Sequence, residues 1–318
     1  MAKKPTPKPK PAVPETPPRP KACSILPDTT LGDDIALVAE NMEAILSSPS
    51  YGLAQEDRAL MERTEMRGVR MLLELNKPEL ALREHAIAST VIVFGGTQIV
   101  ERGAAERRLS EARRALQADP ADARLKREVD RSQRLLERSR YYDAAREFAR
   151  LVSIDNQCDD QRDFVIVTGG GPGIMEAANR GAADVPGGRS VGLGISLPFE
   201  EQVNRFVPQE LAFEFHYFFM RKYWFAYLAK AMVVMPGGFG TCDEMFEILT
   251  LRQTGKIKKR LPMVLFGKEY WNSIFNLDAM VEWGTINEKD LLLMHVTDSV
   301  DDAFQFLTHE LSVSENRK

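Results

Sequence analysis

The stretch VVMPGGFGTCDEMFE, residues 233–247, runs from an apolar strand through a glycine turn into a helix carrying Asp243, Glu244 and Glu247. A glycine turn at such a junction lets the backbone approach a ligand closely. The helix behind it offers unpaired N–H groups and a positive dipole end, which suit a phosphate. Acids one turn downstream would repel that anion. Asp243 reads as an acid favoured by the helix dipole, and Thr241 as a hydroxyl cap. Glu247 lies beyond the first turn, and Glu244 is close enough to the mouth of the turn to reach a ligand held there.

Two further strands end the same way, in FGGT (94–97) and VTGGGPGIM (167–175). From residue 89 onward, short continuous apolar runs rich in Val and Ile alternate with helical spacing, which describes parallel strands covered on both faces. The expected fold is α/β, a Rossmann-like doubly wound parallel sheet. In such a sheet all three glycine turns open on the carboxyl edge, where ligands bind. One glycine turn alone serves packing as readily as binding; three on one edge point to a phosphate ester.

Residues 86–313 form this expected nucleotide-binding domain. Before it, 25–85 read as N-terminal helices, with helical spacing over 31–48 and over 55–76, the second closing ahead of Pro78. Residues 1–24, rich in proline and lysine, read as a disordered tail. Residues 101–140 interrupt the α/β pattern with an Arg/Glu/Ala/Leu-rich stretch broken at Asp119-Pro120, an inserted helical hairpin. Its arginines are interleaved with acids and lack aromatic neighbours for base stacking, so a solvated or subunit-contacting hairpin is favoured over an RNA-binding arm.

The 318-residue chain has a net charge of −4, which gives no general attraction to nucleic acid or to a membrane surface. Cys23, Cys158 and Cys242 are far apart and form no CxxC pair, fitting a reducing, cytoplasmic location without disulfides or structural zinc. No apolar run has membrane-span length, and the N-terminus lacks the apolar core of a secretory signal.

GGGPGIM lacks the Gly-Lys-Ser/Thr of a P-loop and the spacing of a dinucleotide fingerprint, so a single phosphate, as in a mononucleotide, is the expected anion. His85, His216, His295 and His309 show no metal-ligand or triad pattern; His216, nearest the mouth, reads as structural. Asp159-Asp160 reads as a solvated loop, and Met175 as packing under its helix. In MRKYW (220–224), Arg221 and Lys222 begin an otherwise apolar helix. On spacing alone they are equally two surface cations or a ligand-neutralising pair.

Together these motifs resemble the LOG family, cytokinin riboside 5′-monophosphate phosphoribohydrolases, many once described as lysine decarboxylase-like. PGGFGTCDE fits the PGGxGTxxE signature. GGGPGIMEAANRGA, FMRKYWFAYLAKAMVVMPGG and TVIVFGGTQI fit the accompanying motifs, over residues 89–310 apart from the 101–140 insertion. The resemblance implies a homodimer or higher homo-oligomer that hydrolyses the N-glycosidic bond of AMP or an N6-substituted AMP, with no cofactor and no metal. It implies a catalytic pair at Arg221 and Glu244. It implies phosphate binding at Pro236, Gly237, Gly238, Gly240 and Thr241, with help from Gly95, Gly96 and Thr97. Gly169, Gly170, Gly171, Gly173, Glu176 and Met220 would line the nucleotide. A decarboxylase would instead need pyridoxal phosphate and a Schiff-base lysine, and no lysine has a convincing context for that role.

Overall fold

The computed structural model describes residues 31–154, 157, 162–198 and 203–315. The tail expected over 1–24, with Cys23, Cys158 and Asp159-Asp160, lies outside them. The chain divides into two compact units between Arg67 and Gly68.

The first unit holds α1 (Leu31–Leu46), a 3-10 turn at Pro49–Tyr51, α2 (Arg58–Glu62) and a second 3-10 turn at Thr64–Met66. The single helix expected over 55–76 does not form. Asp57 caps α2 by accepting from the Leu60 amide at 2.9 Å, and extended backbone at Arg63 ends it after five residues. A new helix, α3 (Arg67–Glu84), then runs through Pro78 instead of stopping ahead of it. An interior proline loses one backbone hydrogen bond and costs a helix about 3 kcal/mol. Pro78 and Leu82 are both buried, and that apolar burial offsets the loss.

In the second unit the chain continues through β1 (Thr90–Phe94), α4 (Arg102–Ala118), α5 (Ala123–Glu137), α6 (Arg140–Ile154) and β2 (Val165–Thr168). Next come α7 (Ile174–Ala183), β3 (Ser190–Ile195), β4 (Ala212–Phe215), α8 (Phe218–Leu228) and β5 (Ala229–Val234). The remainder is α9 (Phe239–Gln253), β6 (Met263–Phe266), α10 (Lys268–Ile274), α11 (Leu277–Glu282), α12 (Glu288–Leu291), β7 (Met294–Thr297) and α13 (Val300–Glu315). The helices α4 and α5 separate at Asp119-Pro120, and Asp122 caps α5 by accepting from the Arg124 amide at 2.6 Å.

All seven strands are parallel, in the order β4-β3-β2-β1-β5-β6-β7. The chain winds outward from β1 to β4, then returns to the other side of β1 and winds outward again. This is an α/β Rossmann-like fold, and its direction switches between β1 and β5. There the carboxyl ends leave a crevice that no crossover fills.

The apolar runs are continuous because both faces are covered. Along β1, Ile92 and Phe94 join one core cluster while Val91 and Val93 join the other. β5 repeats the alternation, with Met232 and Val234 on the first side and Ala231 and Val233 on the second. The first cluster is closed by Trp224 and Phe225 of α8 and by Met245 and Ile248 of α9. The second is closed by Phe148 of α6, Ile174 of α7 and Leu307 of α13. Fully burying each large apolar side chain contributes about 1.5–3 kcal/mol, so the sheet edge that carries the turns is rigidly backed.

Candidate active site

Phe94 and Val234 are register partners, so the turns after β1 and β5 leave the sheet side by side. They are tied together there. The Met235 amide donates to the Phe94 carbonyl at 2.8 Å, and the Gly96 amide to the Pro236 carbonyl at 2.9 Å. Gly96 in turn accepts from the Ile174 amide at 3.2 Å, which draws the start of α7 against the same turn. Gly173 permits that approach. Its φ is +73°, and a Cβ would lie 2.5 Å from the Gly96 carbonyl oxygen.

These turns enclose a cleft of ≈ 350 Å³, within the range of small-molecule sites. Gly95, Gly96 and Thr97 line it from β1, Gly169, Gly170 and Gly171 from β2, and Gly238, Gly240 and Thr241 from β5. Arg221 and Glu244 complete the wall, with Phe218 and Phe225 beside them. An apolar side is formed by Met175, Ile195, Leu197 and Val203. Met175 therefore faces the cleft, contrary to the expectation that it packs under α7.

Other expected residues serve the turns from behind. Gly173, Glu176, Met220, Pro236 and Gly237 are not among the lining residues. Glu176 accepts a hydrogen bond from the Tyr142 hydroxyl at 2.9 Å and so faces α6. Met220 packs on the first core cluster. A Cβ on Gly237 would stand 2.2 Å from Thr241 Oγ1, and its carbonyl accepts from the Tyr270 hydroxyl.

Gly238 and Gly240 differ from these. A Cβ on either would meet nothing within 4 Å, and neither has a positive φ. Packing and backbone strain therefore give no reason for glycine, and what the missing side chains leave open is access from the cleft to the start of α9. Gly238 is the N-cap of α9 and supplies no side-chain cap. Thr241 does not cap the helix as expected, because the helix starts at Phe239 and Thr241 is already its third residue. The first-turn N–H groups thus keep their capacity for an external acceptor.

The acids of α9 are resolved by their partners. Lys222 Nζ lies 2.9 Å from Asp243 and 3.0 Å from Glu247. Asp243 is outside the first turn and is accounted for by Lys222 rather than by the helix dipole. Glu244 is set apart: it is 6% exposed and accepts from Arg221 Nη2 at 3.0 Å. Burial pushes the Glu244 carboxyl up to about 7, against the opposing pull of Arg221 and Lys222. The Arg221 guanidinium sits over the Phe218 ring at 5.2 Å and the Phe225 ring at 5.8 Å, which shields the pair from water. Its Nε is buried without a hydrogen-bond partner, a costly state that is common where a ligand atom completes the set.

Sequence reasoning missed the polar group behind the β2 turn. Thr168, Asn179, Ser190 and Asn204 are all buried and hydrogen-bonded to one another. The signal was Asn179, an amide on the apolar face of AANRGA, although its partners lie far away in sequence.

The fold and site together define an α/β protein with a ligand cleft at the switch point of a parallel sheet. Residues 175–307, which include Arg221, the Gly237–Thr241 turn and Glu244, match the model of the family described as "Possible lysine decarboxylase", the LOG family of the motif resemblance. No curated protein matches the sequence. Among solved structures, the molybdenum cofactor binding protein from the phototrophic bacterium Rippkaea orientalis aligns at 17% identity and a TM-score of 0.37. That alignment covers 53% of this chain and 86% of that one.

The family description raises pyridoxal phosphate chemistry, which needs a lysine amine at the cleft. None of the lining residues is a lysine, and Lys222 is committed to two carboxylates. The residues present do not fit that cofactor. Among the described residues, no group of three His, Cys, Asp or Glu is arranged to hold a metal ion, and no helix is long and apolar enough to cross a membrane.

Proposed function

We propose that this protein hydrolyses the N-glycosidic bond of a purine nucleoside 5′-monophosphate, AMP or an N6-substituted AMP, releasing the free base and ribose 5-phosphate. The observation that carries this reading is the buried Arg221–Glu244 pair beside the bare glycines that open the start of α9. The anion site and the carboxylate serve opposite ends of one ligand. Phosphate takes the backbone donors of Gly238–Thr241, and the ribose extends toward Glu244.

Breaking the C1′–N bond sends its electron pair to the base, which takes up a proton from solvent to leave as the neutral base, and leaves positive charge on the sugar ring. An ionised Glu244 stabilises that charge and accepts a proton from the water whose oxygen adds to C1′. Arg221 remains protonated throughout, so it orients the departing base or the phosphate by hydrogen bonding and is not a proton donor. Neither step calls for a metal.

A carboxyl that titrates at about 7 is basic enough to take that proton while remaining partly ionised near neutrality. Because the ionised form is the working one, kcat/KM for AMP rises as pH increases through about 7 and levels above it. A profile that falls with rising pH across this range contradicts the role of Glu244.

The glycines separate fold from binding. Gly237→Ala forces a Cβ onto Thr241 and is expected to destabilise the protein by about 1–3 kcal/mol. Gly240→Ala lies in α9 with open space around it, so it is expected to stabilise by about 0.5–1 kcal/mol. The same methyl group narrows the phosphate approach and raises the KM for AMP. Thermal unfolding and steady-state kinetics on the two variants check both signs.

The functional test is a panel of nucleoside 5′-monophosphates scored for free base by chromatography. Release of adenine or an N6-substituted adenine supports the reading. Nucleotides that bind and are recovered intact replace it with a non-catalytic nucleotide carrier.

A further inference from the structure

The turn Gly169–Gly171 lines the cleft, yet two of its carbonyl oxygens do not face a ligand. Asn204 Nδ2 donates to the Gly170 carbonyl at 3.0 Å and to the Gly171 carbonyl at 3.0 Å. The Asn204 backbone amide also donates to Gly170, at 2.7 Å. Asn204 is only 8% exposed and does not line the cleft, so these carbonyl dipoles point into the protein.

The amide is itself fixed. Asn204 Nδ2 also donates to Asn179 Oδ1 at 2.9 Å, and that oxygen accepts from Thr168 Oγ1 at 2.8 Å. Asn179 Nδ2 donates to Ser190 Oγ at 3.0 Å. Thr168 Oγ1 closes the circuit by accepting from the Gly170 amide at 2.9 Å. The orientation of Asn204 follows from its surroundings. Rotating its amide by half a turn would aim Oδ1 at three oxygens and leave buried acceptors unmade. Gly170 has a φ of +74°, a conformation with several accessible neighbours in a glycine-rich turn, so something outside the turn must select one.

We propose that Asn204 is a positioning residue for substrate binding: backed by Asn179, it withdraws the Gly170 and Gly171 carbonyls from the cleft so that the β2 turn accepts an anionic nucleotide. Carbonyl oxygens released into the cleft would repel the ligand and narrow the wall. The residue touches no reacting atom, so it acts on binding and leaves the chemical step alone. The inference rests on the nucleoside monophosphate reading above.

The test uses Asn204→Asp, which replaces the donor amide with an acceptor facing two carbonyls, and Asn204→Ser, which removes the reach without adding charge. AMP is titrated calorimetrically into the full chain carrying Glu244→Gln, with and without each second substitution, so that turnover does not consume the ligand. The dissociation constant is expected to rise by about tenfold or more. With Glu244 intact, KM rises by a similar factor and kcat stays within about threefold. Leu82→Ala, a truncation in the core cluster on the other sheet face, lowers the melting temperature without moving KM. An unchanged dissociation constant in a folded Asn204→Asp or Asn204→Ser protein overturns the inference and leaves the parent reading intact. A fall in kcat at constant KM, or a rise in KM for Leu82→Ala matching that for Asn204→Ser, also overturns it. Failure of the Glu244→Gln protein and the wild type alike to bind AMP removes both.

Discussion

Glu244→Gln is expected to lower AMP hydrolysis by about 10²–10⁴-fold while the affinity for AMP changes only a few-fold. Glutamine keeps the size of the side chain and can still accept from Arg221. It removes the negative charge that stabilises the developing cation and the base that takes the proton from water. In the proposed reading the phosphate is held by the Gly238–Thr241 turn, which does not depend on that charge. The same substitution carries a signature in stability. The folded-state value of about 7 is raised from an ordinary value of 4.5 by burial. Below about pH 4.5 the carboxyl is protonated in folded and unfolded chains alike. Between 4.5 and about 7 the unfolded chain ionises first, and stability is lost as the pH rises through that window. Above it the wild type bears the whole penalty, on the order of a few kcal/mol. Glu244→Gln escapes it, so its melting temperature relative to wild type rises from acid to alkaline pH. A pH-independent difference contradicts the burial account of Glu244.

Arg221→Met is expected to lower kcat/KM at neutral pH by about 10²-fold or more. Two effects combine. The variant loses the donor to the departing base or phosphate, and Glu244 loses the guanidinium that is the largest influence holding its titration down. The carboxyl then stays protonated to higher pH, and the rising limb of the pH profile moves to the alkaline side. Lys222, engaged by Asp243 and Glu247, is not free to substitute. Arg221→Lys is expected to recover only part of the activity, because an ammonium lacks the planar guanidinium that reaches Glu244 through Nη2 and lies over the Phe218 and Phe225 rings. A loss of activity with an unshifted profile would separate Arg221 from the ionisation of Glu244.

The strands and the edge on which the turns open were legible in the sequence because they depend on local pattern. Val91, Ile92 and Val93 in an unbroken run announce a strand buried on both faces, and the glycines after it announce a turn. The pairing of Arg221 with Glu244 was reachable only through motif resemblance, since the two residues lie on different helices. The partners of Asp243 and Glu247 were not legible: Lys222 meets them through the packing of α8 on α9, which no local spacing reports. The start of α9 was misjudged because its cap is a glycine, so Thr241 stood as the first visible capping hydroxyl. The course of α3 through Pro78 was hidden because propensity opposes it and only burial overrides it. The Asn179–Asn204 contact joins α7 to the segment after β3, and nothing near either residue in sequence foretells the other.

The most direct measurement is the fate of AMP incubated with the protein at about pH 8, above the titration of Glu244. Adenine and ribose 5-phosphate are expected in equal amounts. Adenosine, which has no phosphate for the glycine turn, is expected to remain intact, and Glu244→Gln is expected to release no adenine on the same timescale. Recovery of intact AMP, or its conversion to adenosine and inorganic phosphate, would contradict the assignment of Arg221 and Glu244 to glycosidic cleavage.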